Sequence, residues 1–342
     1  MSAAPASFRD YCRGLRPWLQ RACRQSLEAL LAGGGPPGGL AELVDGGKRL
    51  RGCLVCLAAE SLGAGPRQAL PRAVAVELIH CASLVHDDLV DGDRLRRGRP
   101  AAWTVEGARR AVLLGDVIFA SAIEMAARLG AAEAAVVAGA IARLAKGAYL
   151  ETSTPQAAAR ALESGRLGAG AYAKIADLKT GVLFGAACRL GAAAAGAGDG
   201  PAGDLEQWGR LVGQAYQMED DLQELRLLEA ARRPGLRRLA ELSPALAAWA
   251  PELPPGVLAG WLRGGAEPGP ELAPALAAAR QALARELEAR LAAAEKRLAG
   301  LPAGPHAELL RGAGREIIGL FREQAEPGPS PGPRSRRSDA SP

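Results

Sequence analysis

Aromatic residues make up only 4% of this 342-residue chain, too few for the stacking platforms on which single-stranded nucleic acids are held. The formal net charge is +5, a mild excess carried in part by Arg334, Arg336 and Arg337 close to the C-terminal end, and it does not demand a nucleic-acid partner. No apolar run of ~18 residues or more occurs, so no membrane-spanning helix is expected. No basic segment followed by an apolar stretch opens the chain, so no secretory signal is expected either. A soluble cytoplasmic protein is the resulting expectation. Six cysteines, at 12, 23, 53, 56, 81 and 188, are scattered and do not suggest a disulfide scaffold. Cys53 and Cys56 have the spacing of a zinc or redox pair. With no second such pair and no neighbouring pair of histidines, they read better as buried thiols on the apolar helix Leu50–Ala59. Lysine is scarce as well, occurring only at 48, 146, 174, 179 and 296.

Alternating strand patterns are nearly absent, while Ala, Leu, Arg and Glu dominate, so the chain reads as helices throughout. The pattern predicts helices near 7–32, 40–63, 69–91, 105–129, 131–153, 167–192, 203–229, 235–248, 255–263, 271–299 and 305–324. Glycine-rich breaks fall at 33–39 and 196–203. From Glu326 onward Pro, Ser, Gly and Arg take over, and a disordered tail over 326–342 is expected. The simplest reading is one all-α domain over 1–325, long enough to bury a sizeable core.

Against this background two short acidic clusters stand out. Asp87-Asp88-Leu89-Val90-Asp91 and Asp220-Asp221-Leu222-Gln223-Glu224 share the form acid-acid-x-x-acid. On a helix these positions lie on one face, with the outer carboxylates ~6 Å apart along the axis. A solvated acidic face is the ordinary reading of such a triplet. Here both clusters instead end apolar runs, Val76–His86 and Leu211–Met218, that have the look of buried helices. Carboxylates so close repel one another unless cations absorb the charge. Two opposed faces of this kind would hold divalent ions through oxygen ligands and leave positions for phosphate oxygens, the outline of a magnesium–diphosphate site.

Two of the five lysines fall in compact polar motifs. Gly46-Gly47-Lys48-Arg49-Leu50-Arg51 sets a glycine pair before a helix, with Lys48 and Arg51 on one face, an anion pocket in outline. Lys179-Thr180-Gly181 offers an ammonium and a hydroxyl beside a flexible residue. Arg96-Arg97-Gly98-Arg99-Pro100, just beyond the first acidic cluster, supplies guanidiniums able to grip phosphate with two parallel hydrogen bonds. Acidic faces together with separate cationic pockets imply two phosphorylated substrates, one bridged by metal and one held mainly by cations.

The ordered set GGKRLR, ELIHCASLVHDDLVD, RRGRP, KTG and GQAYQMEDDLQE, spanning roughly residues 40–225, resembles the trans-isoprenyl diphosphate synthases of the polyprenyl synthetase family. The resemblance implies an all-α helical bundle around a central active-site cavity, a homodimer, three magnesium ions, and head-to-tail condensation of isopentenyl diphosphate onto an allylic diphosphate. Gly47 belongs to the first motif, and Lys48, Arg51, His80 and Arg97 match positions that hold isopentenyl diphosphate. Arg96, Lys179 and Thr180 match contacts to the allylic diphosphate, and Gln217 matches a contact near the reacting carbons. Lys179, Arg96 and Gln217 are thus the candidate catalytic residues. Asp87, Asp91 and Asp220 match the principal metal ligands, supported by Asp88, Asp221 and Glu224. His86 reads as a packed, hydrogen-bonded histidine rather than a ligand.

The sequence departs from the family in two places. Glu224 stands where the family usually has Asp, and the Gly-Lys that usually follows the second cluster is missing, leaving Arg232, Arg233, Arg237 and Arg238 as candidate substitutes. That loss keeps a second reading open, a non-catalytic subunit of a heteromeric synthase. A class I terpene cyclase is less favoured, because its second metal motif is absent and thirteen aromatics are few for steadying cations. Ala82 and Ser83, five and four residues before Asp87, are small. With these residues about one turn below the metal site, growth past fifteen carbons to twenty or more is expected, with Phe119 or Met125 as a possible lower floor.

Overall fold

Helix-forming composition produces helices almost everywhere. The computed structural model describes residues 5–30, 47–151, 154–230, 235–265 and 267–325. The glycine-rich stretch 33–39, Arg232, Arg233 and the tail 326–342 lie outside them.

The first half comprises α1 (Phe8–Leu30), α2 (Leu50–Ser61), α3 (Pro66–Asp91), a short α4 (Ala102–Glu106), α5 (Ala108–Leu129) and α6 (Ala131–Glu151). Then come α7 (Pro155–Glu163), α8 (Ala169–Ala176), a π-helical turn (Asp177–Gly181), α9 (Val182–Ala194) and the long α10 (Asp199–Ala230). The chain finishes with α11 (Leu236–Trp249), α12 (Pro255–Leu262), α13 (Leu272–Arg297) and α14 (Pro305–Ala325). Among the described residues strand structure is confined to one hairpin, β1 (Leu95–Arg96) antiparallel to β2 (Arg99–Pro100), with Arg96 opposite Arg99.

Helices that are apolar all round belong in the centre. α2 buries every residue from Gly52 to Ala59, and α3 buries Ala73 to Ile79 without interruption. α9 buries all of Val182–Cys188. These form one hydrophobic cluster with α1, α5, α6 and the first half of α10. A second cluster joins α7, α8, the second half of α10 and α11–α13, and Tyr216 of α10 packs against both.

Local signals explain where the helices differ from the sequence pattern. Residues 40–46 of the helix expected over 40–63 lie outside the described residues; 47–49 are not helical, and α2 begins at Leu50 after Arg49, whose backbone is left-handed at φ 56°. A single helix over 105–129 is divided at Gly107, where φ is 82°. α7 was not anticipated, although Thr154 caps it through Ala157 N at 3.2 Å and Pro155 sits at its first position, both ordinary start signals. The predicted helix 167–192 contains a π turn that widens it at Lys179 and Thr180.

Candidate functional site

α3 carries the first acidic motif in its last turn and stops at Gly92, whose φ of 70° closes the helix. α10 carries the second motif well inside its length. Asp88 is 1% exposed and turns away from its neighbours to meet Arg96 of the hairpin, which donates from Nε at 2.5 Å and also from Nη2. Asp221 accepts from the Tyr172 hydroxyl at 2.5 Å and from Gln217 Nε2 at 3.1 Å. Asp91 accepts from Arg237 at 2.7 Å, and Glu224 faces Arg238 at 3.4 Å. Among the described residues no three acidic, His or Cys side chains close on one point as a ready-made metal cage.

Lys179 lies in the field of both motifs. Asp220 and Asp221 act on its charge, and it in turn draws down the carboxyls of Asp87, Asp220 and Asp221. Burial nonetheless dominates those acids. It pushes Asp87 up to about 6, helped by Asp91 and Glu151, and Asp221 up to about 7, helped by Asp220. Burial works against the Lys179 ammonium, but Glu151, which accepts from Nζ at 2.6 Å, carries it above the ordinary lysine range. Lys179 is therefore a positive charge fixed by Glu151 and felt by carboxylates of both motifs.

The π turn that presents Lys179 and Thr180 is set by backbone contact on two sides. On one, a Cβ added at Gly147 of α6 would lie 2.8 Å from Leu178 C and Lys179 N. On the other, a Cβ at Gly213 of α10 would lie 2.7 Å from Gly181 Cα and 3.0 Å from Thr180 O. Gly209 of α10 meets Phe184 O and Gly185 of α9 meets Glu206 O in the same way, at 2.6 and 2.9 Å. Asp177 completes the seat, accepting from Arg210 Nε at 3.0 Å and Gln214 Nε2 at 2.9 Å. This crossing brings Thr180 Oγ1 to Gln217 Oε1 at 2.7 Å, so the KTG motif and the second acidic motif share one hydrogen-bonded unit.

A second group of predicted residues surrounds a cavity of about 100 Å³ lined by Gly47, Lys48, Arg51, His80, Arg97 and Tyr216, with Arg49 and Glu77 beneath. Burial lowers the His80 pKa well below the usual histidine range, and Arg51, Arg97, Arg49 and Arg96 lower it further, so the ring is neutral. Arg51 lies over the Phe184 ring at 4.7 Å. Lys48 lines the cavity but donates to the Leu320 carbonyl of α14, and burial lowers its pKa. His86 is packed as expected, with Nε2 3.0 Å from the Val112 carbonyl, its ring edge-on to Phe119 and the bare Cα of Gly115 beside it.

Sequence reading brought forward every residue of the two motifs but missed Glu151, Tyr172, Asp177, Arg210 and Gly147. The glycine pairs 181/185 and 209/213, each spaced by four, were a visible signal for the crossing; the long-range acid partners had none. All six cysteines are buried, as the apolar setting of Cys53 and Cys56 suggested. No helix of the described residues is long and apolar enough to cross a membrane.

Residues 40–231 match the family described as Polyprenyl synthetase. The geranylgeranyl diphosphate synthase of Methanosarcina mazei is 36% identical over 190 residues, which cover 54% of this chain and 56% of that protein. A (2E,6E)-farnesyl diphosphate synthase of Mycobacterium bovis is 40% identical over 177 residues, 52% of this chain and 48% of the relative. The chain thus spans about half the length of these curated relatives. Over almost the whole fold it superposes on a decaprenyl diphosphate synthase from Rhodobacter capsulatus, with a TM-score of 0.72, 26% identity, and coverage of 91% of this chain and 98% of that one.

Proposed function

Because the chain belongs to the polyprenyl synthetase family, we propose that it is a cytoplasmic prenyltransferase. It condenses isopentenyl diphosphate head-to-tail with an allylic diphosphate, giving a trans-polyprenyl diphosphate of twenty carbons or more and diphosphate. The observation that carries this reading is Lys179, bonded to Glu151 and within electrostatic reach of Asp87, Asp220 and Asp221, while a separate group of cations lines a cavity. His80 and Asp87 are seven residues apart on α3, about 10 Å along its axis, a spacing that suits two diphosphates whose carbon ends must meet.

The acidic donors are hard carboxylate oxygens, the chemistry magnesium prefers. Magnesium is usually held by one or two carboxylates with substrate phosphates and waters completing the shell. Asp87 and Asp91 on one side and Asp220 on the other would hold the ions, three by family resemblance. Asp88, Asp221 and Glu224 support them through their own hydrogen bonds. Bound magnesium supplies a Lewis acid that draws charge from the departing diphosphate.

The protein's own groups supply the rest. Lys179 meets the negative charge that gathers as the allylic C–O bond breaks, and Arg96, forked onto Asp88, stands beside the same group. Thr180 and Gln217 orient the allylic end. Lys48, Arg51, His80 and Arg97 hold isopentenyl diphosphate, whose double bond attacks the allylic carbon; the proton then lost leaves with the released diphosphate. Apolar helices keep water from the cation. Arg237 and Arg238 take the place of the missing Gly-Lys, each against the last acid of one motif.

We also assign a homodimer. Val105, Val112, Leu113 and Val117, on α4 and α5, are 52%, 41%, 55% and 41% exposed, an apolar face that a second copy would cover; sedimentation analysis tests it. The activity itself is tested by incubating the purified protein with radiolabelled isopentenyl diphosphate, each allylic diphosphate and magnesium, then measuring product length. Labelled polyprenyl product is expected. Product only after a second synthase is added would identify a regulatory subunit instead, and a cyclised hydrocarbon would identify a cyclase.

A further inference from the structure

Among the described residues two that are not glycine have positive φ, Arg49 at 56° and Arg97 at 53°. Left-handed backbone is unfavourable for a residue with a Cβ, and where it persists it tends to mark sites whose geometry is put to use. Both arginines line the same cavity. Their guanidiniums meet over Gly47, where an added Cβ would touch Arg97 Nη1 and Arg49 Cζ at 3.4 Å and Arg49 Nη2 at 3.6 Å. Two like charges brought together in this way call for an anion.

Arg49 is 4% exposed, and one of its three guanidinium nitrogens is already engaged. Nη1 donates to Glu77 Oε2 at 3.0 Å, and Glu77 Oε1 accepts from Gly52 N at 2.8 Å. Glu77 thus fixes the guanidinium to the first turn of α2. Among the described residues Nε and Nη2 are buried without a hydrogen-bond partner. These two nitrogens form one edge of the group, the edge that donates two parallel hydrogen bonds to a phosphate or carboxylate. A buried donor left unmade is unfavourable, and here the deficit faces a cavity of other cations.

We propose that Arg49 is a further diphosphate-binding residue, its Nε and Nη2 edge donating to the diphosphate oxygens of isopentenyl diphosphate while Glu77 holds it in register. This rests on the prenyltransferase reading above. Arg97, exposed on the hairpin turn, covers Arg49 from outside, so the anion seats between the two left-handed arginines. Glu77 balances the buried charge before substrate arrives, which allows an arginine to wait there without a ligand.

The experiment must separate binding from folding, because removing Arg49 alone strands Glu77 in the core. The double variant Arg49→Gln/Glu77→Gln replaces the ion pair by two amides that can hydrogen-bond each other, and its circular dichroism and melting curve confirm the fold. Calorimetry with isopentenyl diphosphate, without allylic co-substrate, reads binding directly, and steady-state assays read KM for each substrate. A rise of about 10- to 100-fold in the dissociation constant and KM for isopentenyl diphosphate, with the allylic KM unchanged, is expected for lost charged hydrogen bonds. Isopentenyl diphosphate affinity within about 2-fold of an active wild type would overturn the role of Arg49 and leave the prenyltransferase reading standing. A wild type that neither binds nor turns over isopentenyl diphosphate would remove both.

Discussion

Arg237 donates to the Asp91 carboxylate at 2.7 Å across 146 positions of sequence, which ties the first turn of α11 to the end of the first acidic motif. Its neighbour Arg238 makes the matching reach to Glu224 of the second motif. One helical turn therefore offers a cation to each motif, at the place in the chain where the family's lysine is missing.

The pair Arg237–Asp91 is about half exposed on both sides, so its share of folding stability is at most about 1 kcal/mol. Arg237→Ala should leave the melting temperature nearly unchanged and yet lower kcat by about 10-fold or more, since in the proposed site it removes a charge beside the departing diphosphate. Arg237→Lys should restore part of the rate. Unchanged kcat in the alanine variant would mean that Arg237 does not stand in for the missing lysine.

Metal dependence is the second expectation. The clustered carboxylates repel both one another and the substrate diphosphate, so turnover should cease in excess chelator and return with magnesium. Asp87→Ala or Asp220→Ala should lower the rate by at least about 10²-fold, the scale of losing one preorganised electrostatic stabiliser. Full activity in chelator would refute the metal assignment.

Much of this site was legible because its chemistry is written in short contiguous motifs. Asp87, Asp88 and Asp91 are placed by one helix turn, and an apolar approach such as Val76–Val85 announces burial without any tertiary information. What could not be read were partners fixed by packing. Lys179 with Glu151 and Asp177 with Arg210 are separated by 28 and 33 positions, and nothing local in either sequence specifies the other. The left-handed Arg49 was equally hidden, because residue type does not announce it and its buried partner Glu77 lies 28 positions away. Thr154-Pro155 is a different kind of miss: the start signal was present, and the masking influence was the polar stretch around it.

The two pockets should separate kinetically. Lys48→Ala or Arg51→Ala should mainly raise KM for isopentenyl diphosphate, because those side chains line the cavity proposed for it. Lys179→Ala should act more on kcat, because its charge meets the leaving group in the transition state. Equal shifts of one substrate's KM in both sets would show that the pockets are not distinct.

The glycine crossing offers a structural prediction. A methyl group at Gly213 would press on Gly181 Cα and Thr180 O, backbone atoms that cannot swing aside. Gly213→Ala should cost about 1–3 kcal/mol through overpacking and loosen the Thr180–Gln217 bond. Thermal melts should show the loss, and kcat should fall although no side chain of the site has been removed. A variant with wild-type stability and rate would mean that the crossing yields without disturbing the site.

Product length is the final expectation, and the structure changes how it is best tested. Ala82 is fully buried, whereas Ser83 is half-buried, with its hydroxyl donating to the His80 carbonyl at 2.9 Å. Both lie about one turn from Asp87, on the helix that ends in the first acidic motif, and neither is bulky enough to stop a growing chain. Phe119 and Met125 of α5 pack at the margin of the core and are the candidates for a deeper floor. Ala82→Phe should shorten the product toward fifteen carbons, with some loss of stability because the site is already packed. Ser83→Phe, at the less crowded position, should shorten it with less disturbance. If both variants stay active and make the wild-type product distribution, the wall that sets chain length lies elsewhere, and Phe119→Ala would be the next variant to measure.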